Sequence, residues 1–456
     1  MSVLALGGLL ALGALPAVAA QANHAPENAA RLARQATADL AAGHYAAVEA
    51  HFVSAMKAAL PTAKLAALWT SLTTQFGAFQ RITGVKSTTM GGDHNEDVGV
   101  AFAHKTIGLK WSINPQGQIV GLHGAAPPGA AQTSTWSPPP YARPARFQQM
   151  AVTVVDGHFR LPGYLTLPRG RGPFPAVVLV PGSGPEDANE QIGPNRVFQD
   201  LAWGLSSRGI AVLRYTKRTR QYGSAAAGGQ PYTVRQGYIE DARAAVAMLA
   251  ANAEINPRRI FLAGHSMGGY LAPRIAANDP QIAGIAILDG PSRPFLIVLR
   301  QQLIYLARVE HAPRPRLERA LAQLQADQRE IANPHLEPAA VIRVPPGVKI
   351  PAAYFLDLRH YSPTTTAARL KIPILVIQGS RDYNVRLADF RGWQRALRGH
   401  ANARCLLIPG LNHLLMPGPP GATGLSKPTD ELRPNHVSTR AIEALSRWIQ
   451  GAASAS

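Results

Sequence analysis

The stretch Ile260-Phe261-Leu262-Ala263-Gly264-His265-Ser266-Met267-Gly268-Gly269-Tyr270 leaves the backbone few choices. A short apolar run reaches a serine framed by glycines, and an alanine-rich helical pattern follows. A strand that ends in Gly-x-Ser-x-Gly has to turn sharply into a helix, which strains the serine backbone and lifts its hydroxyl above the sheet edge. Gly264 and Gly268 keep side-chain volume out of that turn. A serine hydroxyl is a weak nucleophile until a base takes its proton, so the rest of the chain can be searched for that base.

The surrounding pattern says what carries the turn. Residues 152–155 and 164–167 read as an opening antiparallel pair, and 175–180 as a continuous apolar strand ending in Pro181-Gly182-Ser183-Gly184. A helix over 196–208, a strand over 210–215, a helix over 234–251, the strand 259–263, a helix over 269–277 and a strand over 282–288 then alternate. Short, β-branched apolar strands between helices imply a parallel sheet buried on both faces, a doubly wound α/β fold. The alternation stops over 290–368, where a charged helical stretch (300–331) gives way to proline-rich sequence. That is too long for a connection inside a sheet and predicts a helical cap inserted over the site. Strands resume at 372–378 and 404–409, and a last helix spans 439–450.

Upstream, the chain divides. Residues 25–60 and 61–76 carry helical spacing, with Gly43 as a break, and the period then changes to short strands at 79–86, 98–102, 107–113 and 118–122, the last two flanking the hairpin signal Asn114-Pro115-Gln116-Gly117. Residues 25–123 are thus a small α+β domain, 124–148 a Pro/Ala-rich linker and 149–456 the α/β domain. Asp93-His94-Asn95-Glu96-Asp97 reads as a solvated turn, since its donors crowd one loop with no distant His or Cys at metal spacing. Residues 1–20 are almost wholly apolar and close on Pro16-Ala17-Val18-Ala19-Ala20, the pattern of a secretory signal peptide, although no Lys or Arg precedes the apolar run. No later segment is apolar enough to span a bilayer, so a soluble protein, secreted or periplasmic, is expected.

Charged residues are only 16% of the 456, yet the formal net charge is +19. The arginines are scattered and form no basic stripe beside aromatics, which argues against nucleic acid as a partner. The single cysteine, Cys405, excludes an intrachain disulfide and lies in a strand-like run as a buried, inert thiol.

A serine that transfers acyl groups needs a neutral imidazole, and the imidazole needs a carboxylate to fix its tautomer. Asp382 follows strand 372–378 and His413 follows strand 404–409, so the order is Ser266, Asp382, His413. Asp289, after strand 282–288, competes as the acid; His360, in the cap, competes as the base. Oxyanion donors are expected from the N–H of Met267, after the nucleophile, and from Ser183, with Gly184 as second choice.

Val178-Leu179-Val180-Pro181-Gly182-Ser183-Gly184-Pro185-Glu186-Asp187, Gly264-His265-Ser266-Met267-Gly268-Gly269, Gln378-Gly379-Ser380-Arg381-Asp382-Tyr383 and Gly410-Leu411-Asn412-His413 together resemble bacterial α/β-hydrolase-fold esterases. These are related to the serine aminopeptidase and dienelactone hydrolase groups, and the subgroup carries a small N-terminal domain of unknown function. The resemblance implies hydrolysis of small-molecule carboxylic esters with short acyl chains, without metal or organic cofactor. It departs at Pro181, where many such proteins have histidine, and at Thr216, where an acid is expected beside Lys217 and Arg218. Two rivals stand beside it: a peptidase in which Glu186 or Asp187 holds a substrate ammonium, and a non-catalytic cell-envelope binding protein.

Overall fold

The computed structural model describes residues 25–90, 93–125, 136–345 and 347–452. The predicted leader, residues 1–20, lies outside them. Contacts divide the chain into two units, the division falling between residues 135 and 136.

In the first unit, helices α1 (Ala25–Ala42), α2 (Tyr45–Ala50), α3 (Ser54–Ala59) and α4 (Thr62–Phe76) precede a four-stranded antiparallel meander. Its strands are β1 (Phe79–Met90), β2 (Asp93–Phe102), β3 (Thr106–Ile113) and β4 (Ile119–Ala125), ordered as in sequence. Helical spacing buries Ala29, Ala33, Ala36 and Leu40 of α1 against one face of the sheet, where Val98, Val100, Phe102, Leu109, Trp111 and Ile113 alternate inward. Trp111 is fully buried, and its Nε1 donates to Thr37 Oγ1 at 2.8 Å, which satisfies the indole.

The segment Asp93–Asp97 is a correction. It opens β2 instead of forming a solvated turn, because β1 and β2 pair as far as Met90↔Asp93. Glu96 falls on the same face as Val98, Val100 and Phe102, fully buried, with Ser87 Oγ donating to it; burial pushes its carboxyl pKa up.

The second unit is built on an eight-stranded sheet. In chain order its elements are β5 (Phe147–Asp156), β6 (Phe159–Pro168), β7 (Phe174–Val180), α5 (Val197–Ser206), β8 (Ala211–Tyr215), α6 (Asp241–Ala250), β9 (Ile255–His265), α7 (Met267–Ala277), β10 (Ile282–Leu288), α8 (Phe295–Val309), α9 (Arg314–Ala332), β11 (Ile374–Gly379), β12 (Ala403–Ile408) and α10 (Thr439–Gly451). Across the sheet the order is β12-β11-β10-β9-β7-β8-β6-β5. β5 and β6 are antiparallel to their neighbours, and every pairing from β8 through β12 is parallel. Alternation along β7 explains the layers. Val177 and Leu179 pack with α5 and α10 on one face, and Val178 and Val180 pack with α6 and α7 on the other.

Two sequence readings change here. The second half of the expected linker is part of this unit: Trp136 Nε1 donates to Asp200 Oδ1 at 2.8 Å and the Arg143 amide to Ser207 Oγ at 2.7 Å. The charged stretch 300–331 is two helices, α8 and α9, broken where His311 takes a positive φ of 50° and Pro313 precedes α9. The proline-rich part that follows forms a hairpin, Val341–Val344 with Val348–Pro351, and two short helices, Ala352–Leu358 and Pro363–Arg369. No described helix is long and apolar enough to cross a membrane.

Replacing Trp111 with Ala removes the largest buried side chain of the first unit and the hydrogen bond that Thr37 Oγ1 accepts, while Thr37 still donates to Ala33 O. It is expected to cost about 3–5 kcal/mol, read as a lower denaturant midpoint for that unit in a urea titration of the full chain.

Candidate active site

Ser266 sits where β9 passes into α7, at φ 51° and ψ −115°. Only tight steric clearance allows this. A Cβ on Gly264 would fall 2.2 Å from the carbonyl oxygen of Gly268, and one on Gly268 would fall 2.2 Å from that of Val180. The Ser266 amide donates to Leu288 O at 2.9 Å, which anchors the turn to β10.

Asp382 and His413 come from the loops after β11 and β12. His413 Nδ1 lies 2.8 Å from Asp382 Oδ2, the distance of a direct hydrogen bond in which the ring donates. Asp382 is buried, and its other oxygen accepts the amides of Asn384 (2.7 Å) and Val385 (2.9 Å), while Gln378 Nε2 donates to Oδ2 at 3.1 Å. It caps no helix; the nearest one begins at Leu387. The His413 loop is closed by Asn412, whose Oδ1 accepts the amides of Leu414 and Met416. Asp289, the competing acid, instead accepts the Gly379 amide at 2.7 Å, and burial, reinforced by the nearby Asp382 charge, pushes its carboxyl well up. His360 is exposed, in the cap.

The loop after β7 is held by an arrangement that the sequence did not announce. The Gly182 amide donates to Glu190 Oε1 at 2.7 Å. The Gly182 carbonyl accepts from Lys217 Nζ and Tyr238 Oη, both at 2.9 Å. In a trans peptide the C=O and the next N–H point in opposite directions. Fixing the Gly182 carbonyl therefore turns the Ser183 N–H the other way, away from Lys217 and Tyr238. Met267 begins α7, so its N–H has no partner inside the helix. Ser183 and Met267 line the same cavity as Ser266 and His413.

Beneath them lies a buried pair. Glu190 Oε1 is 2.9 Å from His265 Nδ1, and His265 Nε2 is 2.8 Å from the backbone carbonyl oxygen of His413. Burial alone would strip the proton from His265, but the charge of Glu190 and its hydrogen bond outweigh that and push the pKa up to about 9. His265, read from sequence only as the variable position of the turn, thus joins three loops. Its two nitrogens are both engaged, so the cluster of His265, Asp289 and His413, whose ligand-type atoms fall within 4.8 Å, cannot close around a metal with these contacts intact.

Lys217 and Arg218 find partners other than position 216. Arg218 Nε donates to both oxygens of Asp241, at 2.9 and 3.0 Å, and its Nη2 pairs with Asp156. Asp187 Oδ1 accepts the amides of Asn189 and Gln191 and so holds its own turn, and Asp187 is not among the residues that line the cavity. Glu186 does line the cavity; burial, and then the charge of Glu190, push its carboxyl up to about 7. Cys405 is only partly buried, on the edge strand β12, and that burial pushes its thiol up to about 11. The cavity has a volume of about 320 Å³ and is lined by Phe295, Val298, Leu299 and Leu306 of the cap helix α8 together with the polar Glu186, Gln191 and Glu431.

A doubly wound sheet with Ser266 on the β9–α7 turn and an acid and a histidine after β11 and β12 belongs to the alpha/beta hydrolase family, whose model matches residues 177–423. The chain is 35% identical over 397 residues to the esterase EstD of Thermotoga maritima, covering 86% of this chain and 89% of that protein. That span is longer than the second unit itself, so the likeness extends into the first. An uncharacterised protein of Mycobacterium tuberculosis is 29% identical over 190 residues, 41% of this chain and 58% of that one. Among solved structures, Est1E from Butyrivibrio proteoclasticus aligns with 67% of this chain and 99% of its own at 15% identity and a TM-score of 0.44.

Two outcomes are expected. Lys217→Met frees the Gly182 carbonyl from its cation, and ester hydrolysis should lose about tenfold or more in kcat while KM moves little; a change confined to KM would count against the orientation argument. His265 has a folded pKa raised from 6.5 to about 9, so its contribution to stability is complete below pH 6.5 and is lost as pH rises through about 9. Wild type should therefore lose on the order of 3 kcal/mol more than His265→Gln between those limits, as measured by urea midpoints.

Proposed function

We propose that this protein is an exported serine esterase that cleaves small carboxylic esters through an acyl-enzyme on Ser266. The observation that carries the reading is the 2.8 Å contact of His413 Nδ1 with Asp382 Oδ2 at the cavity that also contains Ser266. The likeness to the Thermotoga esterase over 86% of this chain supports the ester as substrate.

In this reading His413 Nε2 takes the proton of Ser266 Oγ as the oxygen attacks the ester carbonyl. Asp382 holds the ring in the tautomer whose Nδ1 carries hydrogen and stabilises the imidazolium that forms. The amides of Ser183 and Met267 receive the oxyanion, preorganised because one is fixed by the opposed Gly182 carbonyl and the other by the first turn of α7. Collapse of the tetrahedral intermediate expels the alcohol, protonated from His413, and water, activated by the same ring, releases the acid. Export is supported by the apolar residues 1–20 and the small residues that end them.

Ser266→Ala should lower hydrolysis of an aryl acetate by about 10⁴-fold or more and abolish labelling by a fluorophosphonate. Equal rates in wild type and variant would overturn the assignment.

A further inference from the structure

Behind the loop that carries Ser183 lies a second cavity, of about 90 Å³, which adjoins the larger one where Ser183 and Phe295 line both. A third concavity, a groove of about 870 Å³, shares no lining residue with either. It lies at the other end of the sheet. Arg258 and Arg259 in the first half of β9 and Arg404 near the start of β12 line it, with Arg440, Arg447 and Trp448 from α10. Ser266 follows the far end of β9, seven positions after Arg259. At about 3.3 Å per strand residue, the groove is roughly 20 Å from the nucleophile.

The five arginines are scattered in the sequence, but the fold gathers them around one indole. No described Asp or Glu lines the groove. Arg447 has a carboxylate partner, Glu443, at 3.5 Å; Arg258, Arg259, Arg404 and Arg440 pair with no carboxylate among the described residues. Arg258, Arg404, Arg440 and Arg447 are also exposed, so their guanidinium groups can meet a ligand. Like charges gathered without counter-charge repel one another, and an anion seated among them relieves that repulsion. Guanidinium groups present paired N–H donors whose spacing matches the two oxygens of a carboxylate.

Between the arginines the lining is apolar. Ala283, Leu406 and Trp448 are half-buried, packed on the core and lining the groove as well. The Trp448 ring is fixed edge-on against Phe261, with 5.3 Å between centroids. Such a surface gains by covering with hydrocarbon. Charge and lining together select the occupant. A polyanion would engage the arginines and leave the apolar lining wet, and a neutral hydrocarbon would do the reverse. A concave groove admits one chain, whereas the flat face of a bilayer would pass over it.

We propose that this groove binds a single-chain amphiphile with an anionic head, an alkyl carboxylate, its head held by the exposed arginines and its chain laid against Trp448 and Leu406. The proposal goes beyond the esterase reading and does not depend on it. The probe is 11-bromoundecanoate, kept below its micelle concentration with the full chain at low ionic strength, because bromine quenches an indole that it touches. Wild type should show saturable quenching of tryptophan fluorescence, and Trp448→Phe should remove it. The trimethylammonium analogue of the same chain should bind at least about tenfold more weakly; equal affinity overturns the site without any variant being needed. Arg404→Glu combined with Arg440→Glu should weaken the carboxylate by about tenfold or more while aryl acetate is hydrolysed at the wild-type rate, which also reports that the fold is intact. Quenching that does not saturate, that survives Trp448→Phe, or that the charge reversal leaves unchanged overturns the site. So does binding of heparin or of phosphatidylglycerol vesicles without affinity for the free carboxylate, which would assign the arginines to a polyanion or to a membrane surface.

Discussion

The contact between Glu190 and His265 holds the site together. One carboxylate oxygen receives both the Gly182 amide and the His265 ring, and the far nitrogen of that ring reaches the backbone of His413. The loop that carries Ser183, the serine turn and the histidine loop, which arise at the ends of β7, β9 and β12, are thus joined through a single buried ion pair. Ion pairs of this kind gain little stability over an apolar substitute but are costly to break from one side. Their benefit here is geometric, because three loops that meet only at their tips acquire a common reference point.

The sheet supplies the rest of the precision. Ser266, Asp382 and His413 lie just past the ends of β9, β11 and β12, all parallel, so all three emerge at the same edge. The elbow backbone is held by clearance instead of by side-chain bonds, with Gly264 and Gly268 packed against carbonyl oxygens that no Cβ could approach. Behind the loop after β7, Lys217 and Tyr238 grip the Gly182 carbonyl and thereby turn the following amide the other way. Rigid backbone in the sheet and charged anchors behind the loops divide the work.

What could be read in the sequence follows the same division. Ser266 was legible because a glycine pattern spanning five residues dictates its turn, and Asp382 and His413 were legible because each follows a late apolar strand. Ser183 and Met267 were singled out by chain position relative to those strands, and both line the cavity that contains Ser266. Glu190 was not legible: it acts on a residue 75 positions away, and neither carries a local pattern. The pairing of Arg218 with Asp241 escaped for the same reason, since an acid was sought at position 216 while the partner lies 23 residues downstream. In the first unit the polar run Asp93–Asp97 looked solvated because polarity, not alternation, dominates it; only the register with β1 places Glu96 inward. The second cavity draws on segments near 183, 219, 232, 295 and 348, which no local reading could assemble.

Phe295, the first residue of α8, forms part of the wall of both cavities. A change of bulk there reshapes both spaces at once. Selection acting on this position would alter both spaces together, whereas changes at Thr219 or Leu306, each lining one of them, would alter one alone. The cap thus couples the shapes of two cavities at one position and leaves them separable elsewhere, so the order in which such positions vary constrains which pairs of shapes can be reached.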